Sequence, residues 1–186
     1  MDFPSMIRSV LELGACKAAV IGVEHIRFDH RFRDLCKSNA CGNYNRCWTC
    51  PPDASDIDKL IAKAKGFDYI LVYQTVSALE DSYDFEGMME AGKKHNQLTL
   101  CVAQWADTLA LPRALHLGAG GCRICENCAK ITNEPCRHPD QALASLETYG
   151  IAVSELAQAC DMKYINGQNT VTYFSAMLFC QAPNTK

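Results

Sequence analysis

Three cysteines separated by two residues each, Cys122, Cys125 and Cys128, constrain this chain more than any other feature, and Cys136 follows after a short loop. A loop that delivers several thiolates from different directions is typical of a segment wrapped around a [4Fe–4S] cluster. The segment 126–134 has few apolar side chains and therefore little to hold its shape without a ligand. The pattern predicts that these four cysteines bind an iron–sulfur cluster.

Three other interpretations of this pattern stay open. A disulfide framework is typical of short secreted chains. A structural zinc ion prefers two separated cysteine pairs, and Cys47-x-x-Cys50 together with Cys125-x-x-Cys128 would supply them. Inert buried cysteines are the third interpretation, although a polar loop is a poor place for them. The triple spacing and the soft sulfur ligands favour iron–sulfur over all three.

A second group of cysteines, Cys36, Cys41, Cys47 and Cys50, precedes Pro51-Pro52 in a stretch without hydrophobic periodicity at residues 29–53. A long irregular run inside a compact domain usually has a function. We predict that this group binds a second cluster. A redox pair at Cys47-x-x-Cys50 is the metal-free alternative, but it leaves the other two cysteines unexplained.

Composition limits the class of protein. The chain has 186 residues, 48% of them hydrophobic, and twelve cysteines, more than packing requires. A net charge of −3 argues against an electrostatic nucleic-acid binder. No stretch has the apolar length of a membrane span, and Met1–Ser9 lacks a secretory signal pattern. We therefore expect a cytoplasmic protein with free thiols that binds neither nucleic acid nor membrane; its oligomeric state cannot be read from the sequence.

Hydrophobic periodicity predicts a single α/β domain over residues 1–186, with cysteine-rich loops at 29–54 and 118–139. Helices are expected at residues 4–13, 55–66, 85–111, 139–150 and 154–160, and strands at 18–28, 67–76 and 114–118. A C-terminal hairpin is expected from strands at 163–165 and 170–179. The order strand, loop, helix, strand predicts a right-handed crossover and a mostly parallel sheet flanked by helices.

Several residues outside the two groups have a plain structural interpretation. His95 lies on the apolar stripe of the long helix and is expected to be a hydrogen-bonded core residue, and His25 to be packed or solvated. The remaining cysteines fit no ligand pattern and are expected to pack as small apolar residues; they are Cys16, Cys101, Cys160 and Cys180.

Taken together, these motifs resemble a prokaryotic family of predicted metal-binding proteins of unknown function. The matching segments are Cys36…Cys41-Gly-x-Tyr44…Trp48-x-Cys50-Pro-Pro, Gly-Gly-Cys122-x-x-Cys125-x-x-Cys128…Pro135-Cys136-Arg-x-Pro139, and Ser145-Leu-Glu147-x-Tyr-Gly150-Ile. The resemblance covers most of the chain and implies metal binding, most naturally by iron–sulfur, but implies no reaction. The family pattern supports Cys36, Cys41 and Cys50 as ligands more strongly than Cys47. Without Cys47, the first site would have three thiolates and an open iron.

The leading functional hypothesis is electron transfer by up to two [4Fe–4S] clusters, with a redox protein as partner. The second hypothesis is an enzyme that uses an open iron for sulfur transfer or reduction, with Arg31, Arg33 or Arg46 holding an anionic substrate. The third is a zinc-binding structural or interaction module. No catalytic residue is identified by sequence.

Overall fold

The computed structural model describes residues 2–181, and its helices lie on both faces of one four-stranded sheet. The helices are α1 (Phe3–Glu12), α2 (Phe32–Lys37), α3 (Ile57–Lys65), α4 (Phe85–Asp107) and α5 (Val153–Ala159). The strands are β1 (Lys17–Gly22), β2 (Tyr69–Ala78), β3 (Ala114–Leu117) and β4 (Thr170–Phe179). Short 3-10 helices span Val23–His25, Ala129–Thr132 and Glu147–Tyr149. The α/β class is confirmed.

The predicted parallel sheet is wrong, because the strand order is β1-β2-β4-β3 and every neighbouring pair is antiparallel. β2 and β4 pair over their full lengths, from Tyr69 opposite Phe179 to Ala78 opposite Thr170. β2 and β3, which precede and follow α4 in the sequence, do run in the same direction, as a crossover requires. However, β4 arrives from the C-terminal part of the chain and lies between them.

Alternate residues of the central strands face opposite layers of the core, as the two-residue period of a strand requires. On one face, Ile70 and Val72 are fully buried against α3 and α5 residues such as Leu60 and Leu156. On the other face, α1 and α4 cover a second cluster, which contains Met6, Val10, Leu71, Tyr73, Leu98, Val102, Met177 and Phe179. The sheet is therefore buried on both faces although its strands are antiparallel.

Four local predictions need correction. The strand expected at 18–28 ends at Gly22, where the 3-10 helix begins. The first cysteine loop was expected to be irregular, yet it contains α2. Residues 139–146 form no helix, and residues 163–165 form no strand, so the expected hairpin is absent from the described chain. Thr170–Phe179 pairs instead with β2 and β3, because an interior sheet position satisfies both edges of this apolar strand.

The segment 144–152 closes the bases of both cysteine loops. The Gly118 amide donates to the Ala144 carbonyl at 2.9 Å, where the second loop leaves β3. The Asp29 amide donates to the Gly150 carbonyl at 2.7 Å, where the first loop begins. One short segment therefore fixes where both loops start, and the fold places them side by side. None of the helices in residues 2–181 is both long and apolar enough to cross a membrane.

Candidate metal centre

The two cysteine loops are joined by polar contacts between residues far apart in sequence. The Trp48 indole nitrogen donates to the backbone oxygen of Glu134 at 2.9 Å. The Lys130 ammonium lies 2.7 Å from the Asp53 carboxylate, with side chains only 12% and 19% exposed, and 4.5 Å from the centre of the Trp48 ring. The loops therefore form one structure rather than two independent extensions.

A glycine of the second loop allows the first loop to approach closely. A Cβ atom at Gly121 would lie 2.8 Å from the side-chain carbon of Asn43, closer than carbon atoms pack. Only a residue without a side chain fits at this position with Asn43 as placed. This close approach lies directly beside Cys122, so Gly121 serves the contact between the loops.

Cysteines from both loops line one cavity. It has a volume of about 230 Å³, and its lining includes Cys47 from the first loop and Cys122, Cys125 and Cys128 from the second. Arg46 and Glu126 also line it and place one charge of each sign beside the sulfurs. Cys47 is only 3% exposed and Cys50 only 8%. The sulfur-rich cavity is therefore a joint product of the two loops.

Cys47 lies beside the thiols of Cys122 and Cys50. Hydrogen bonds from Cys122 and Cys50 lower the pKa of Cys47, and its sulfur lies 3.3 Å from the Thr49 hydroxyl. The same contacts with Cys47, together with burial, raise the pKa values of Cys122 and Cys50. A lowered pKa favours the thiolate of Cys47, and the thiolate is the form that binds metals.

The other predicted ligands lie along the first loop and at the end of the second loop. Burial and then the neighbouring Cys41 raise the pKa of Cys36, and Cys41 also contributes to the raised pKa of Cys50. Cys36, Cys41 and Cys50 thus lie within electrostatic range along the first loop. Cys136 is partly buried and does not line the shared cavity. Its neighbour Arg137 donates to the Asn127 carbonyl at 3.1 Å, which folds the end of the second loop back towards the triple.

The donor set fits a thiolate-ligated metal in its chemistry and in its location. Soft sulfur ligands select iron–sulfur clusters, zinc or copper(I). Within residues 2–181, however, no three His, Cys, Asp or Glu side chains are already grouped around one metal position. All twelve cysteines are free thiols. The loops bring the donors together, and ligation would have to draw them inward, as in proteins whose folding is completed by their metal.

The basic residues expected to hold an anionic substrate are mostly engaged elsewhere. Arg31 forms an ion pair of 2.6 Å with Asp29, and Arg33 donates to the Ser55 carbonyl at 2.8 Å. The residue that sequence reasoning missed is Arg123, between the first two cysteines of the triple, which lies beside α4. A glycine inside a good helix usually marks a close contact. Gly92 was therefore the sequence signal for the contact between α4 and Arg123.

The remaining predicted side chains divide between core and surface. His95 is 2% exposed, and its ring nitrogens lie 2.8 Å from the hydroxyls of Thr75 and Ser175, which confirms it as a hydrogen-bonded core residue. His25 is solvated. Cys160 and Cys180 pack against the core as predicted. That prediction is wrong for Cys16 and Cys101, which are exposed.

Comparison with known proteins identifies a family. A family model described as "Predicted metal-binding protein (DUF2284)" matches residues 19–179, which include both cysteine loops and the segment that closes them. No curated protein and no solved structure matches this chain.

Proposed function

Because this chain belongs to that family of predicted metal-binding proteins, we propose that its two cysteine loops hold iron–sulfur clusters and that the protein transfers electrons. The observation that carries the proposal is the cavity lined by Cys47, Cys122, Cys125 and Cys128. Four thiols from two loops are the number that one [4Fe–4S] cluster takes.

The contact between the loops suggests that each cluster takes one cysteine from the opposite loop. We assign Cys47 to the triple, in place of Cys136, because Cys47 contacts Cys122 and lines the same cavity. In two-cluster ferredoxins the fourth cysteine of a triple likewise ligates the other cluster. The first-loop cysteines Cys36, Cys41 and Cys50, with Cys136, are then the ligands of a second cluster.

Several features of the chain suit a redox centre. Burial of Cys47 and Cys50 would keep water from the sulfurs. Of the two charged residues in the cavity lining, Arg46 would stabilise an anionic cluster and raise its reduction potential, and Glu126 would act in the opposite direction. A bound cluster would accept and release one electron at a time. The protein's own part is to supply the thiolates, fix their separation through the loop contacts and set the local charge.

A structural zinc ion is the second candidate, because the same cross-loop contact favours it. Cys47-x-x-Cys50 and Cys125-x-x-Cys128 are two pairs of the kind that structural zinc prefers, and Cys47 shares a cavity with the second pair. Zinc would staple the loops without any redox function. The eight patterned cysteines exceed the four that one zinc ion needs, which favours the iron–sulfur proposal.

Anaerobic purification followed by a count of iron, acid-labile sulfide and zinc per chain tests the proposal. Iron and sulfide in equal amounts, with an electron paramagnetic resonance signal after reduction, are expected. About four of each per chain would indicate one cluster, and about eight would indicate two. An anaerobic sample with neither iron nor sulfide would end the proposal. About one zinc per chain in such a sample would establish the structural alternative.

A further inference from the structure

A second and larger cavity lies beside the cysteine triple. We call it the α4 groove: a cavity of about 890 Å³ whose lining includes Lys93 of α4 and Cys41, Cys122, Arg123 and Cys125 of the loops. Its volume is in the range of small-molecule sites, roughly 300–1,000 Å³. A ligand in this groove would therefore lie against the sulfurs of the candidate metal centre.

Arg123 is held in position along the groove. Its guanidinium carbon lies 6.0 Å from the centre of the Tyr173 ring, and a Cβ atom at Gly92 would lie 3.2 Å from it. A glycine inside a helix is less favourable than alanine. Here that glycine gives Arg123 room against α4. The side chain is therefore positioned by its surroundings rather than free in solvent.

The hydrogen-bonding capacity of Arg123 is largely unused by the protein. A guanidinium has five N–H donors, and Nη1 meets the Met89 thioether, a weak acceptor, at 3.7 Å. Within the described chain neither Arg123 nor Lys93 forms an ion pair. By contrast, the adjacent Lys94 pairs with Glu90 at 3.7 Å. Two cations of one groove are thus available to an anion, with Glu126 as the acidic residue of the lining.

The other polar side chains of the groove are neutral amides. Asn43, Asn96, Gln97 and Gln141 line it and offer both donors and acceptors. Met89, Leu100 and Ile124 add apolar contacts, so the lining suits a small organic molecule that carries a polar or charged group. Arginine binds a carboxylate or a phosphate with two parallel hydrogen bonds, which adds orientation to charge attraction.

We infer that the α4 groove binds a small organic anion through a carboxylate or phosphate group held by Arg123 and Lys93. The inference rests on the proposed function in one respect, because the metal centre at the end of the groove would make the ligand a substrate or effector. It also relocates the anion site expected from sequence at Arg31, Arg33 or Arg46.

Isothermal titration of the anaerobically purified protein, at constant ionic strength, tests this site. The probes are malonate, inorganic phosphate and the neutral analogue malonamide. Saturable binding of malonate or phosphate but not malonamide is expected, and the tighter of the two identifies the anionic group. Arg123→Gln should weaken binding by roughly tenfold or more, since charge-assisted hydrogen bonds are lost, and Lys93→Gln should weaken it less. Lys94→Gln, the matched control on the same helix, should leave affinity unchanged.

Three results would overturn the inference: no saturable binding of either anion, equal binding of malonamide, or an equal loss in Lys94→Gln and Arg123→Gln. Thermal unfolding checks the fold of each variant, and Arg123→Lys, which keeps the charge but loses the two-pronged geometry, provides a milder second variant. The two proposals fail separately. Iron and sulfide without anion binding would reject only the anion site in the α4 groove. Anion binding without iron would reject only the iron–sulfur proposal.

Discussion

Trp48 in the first cysteine loop donates a hydrogen bond of 2.9 Å to the backbone oxygen of Glu134 in the second, across 86 positions of sequence. The Trp48 ring also lies beneath the Lys130 ammonium, at 4.5 Å from its centre. One aromatic residue thus contacts two points of the opposite loop. Since Trp48 is next to Cys47, this contact positions Cys47 beside the second loop.

Replacement of Trp48 tests whether the contact between the loops retains the metal. Trp48→Phe keeps an aromatic ring but removes the hydrogen bond, at a cost of about 1 kcal/mol. We expect metal release to a chelator to become several-fold faster, because one kcal/mol corresponds to a factor of about five. The control Trp105→Phe lies on α4, away from both loops, and should leave the release rate unchanged. Equal rates for Trp48→Phe and wild type would show that the hydrogen bond does not hold the centre.

The Lys130–Asp53 ion pair should stabilise the protein more than a surface pair does. Both side chains are largely buried and 2.7 Å apart, so water screens them little. A double-mutant cycle with Lys130→Met and Asp53→Asn should give a coupling energy of roughly 1–3 kcal/mol in urea unfolding. The exposed pair Lys37–Asp34, at 2.9 Å, should give less than about 0.5 kcal/mol. Equal coupling energies in the two cycles would contradict the role given to burial.

Replacement of Cys47 tests whether this thiol is a metal ligand. If Cys47 belongs with the triple, Cys47→Ser should reduce iron and sulfide content as strongly as Cys122→Ser. Cys101→Ser removes an exposed thiol on α4 and should leave the metal content unchanged. Full metal content and an unchanged resonance signal in Cys47→Ser would exclude Cys47 as a ligand. In that case Cys136 would be the fourth ligand of the triple. The first site would then have the three thiolates Cys36, Cys41 and Cys50 and an open iron.

His95 should make the protein acid-sensitive. Burial lowers its pKa from 6.5 to about 4, so the unfolded chain binds a proton that the folded protein does not. This contribution to the free energy of unfolding is complete above about pH 6.5 and is lost as pH falls towards 4, a change of about 3 kcal/mol. Urea unfolding at pH 7 and pH 4 should show a smaller decrease for His95→Gln than for wild type. A control at exposed His25, His25→Gln, should keep the wild-type decrease, and an unchanged decrease in His95→Gln would refute the assignment.

Gly150 should tolerate no side chain. Its φ is +72°, and a Cβ atom would lie 2.9 Å from Ile61. Gly150→Ala should destabilise the protein by roughly 2–4 kcal/mol, from backbone strain and overpacking together. Gly42→Ala is the matched control, because its φ is +73° and no atom lies within 4 Å of the added carbon; it should cost less because only strain remains. Adding Ile61→Val to Gly150→Ala should restore part of the lost free energy of unfolding. If Gly150→Ala costs as much in the Ile61→Val protein as in the wild type, steric overlap with Ile61 is not the cause.

Sequence periodicity located most elements but could not choose the partners of the strands. The apolar stripe containing His95 predicted α4, and the run 67–76 predicted β2. The error concerned β4, whose apolar residues fit a hairpin with residues 163–165 or an interior sheet position equally well. Pairing is decided by which edges remain open once the helices have packed, and that information is spread over the whole chain.

The sequence by itself determined the spacing of the cysteines, and that spacing predicts the donor set of a thiolate metal centre, because closely spaced loop residues can deliver several sulfur ligands to one metal. Family membership supports metal binding, and the identity of the metal is a proposal. Only the tertiary structure decided that the two groups of cysteines meet. The physical reason is that Cys47 and Cys122 are brought together by backbone pairing at 144–152 and by the contacts of Trp48 and Lys130, which no local pattern encodes.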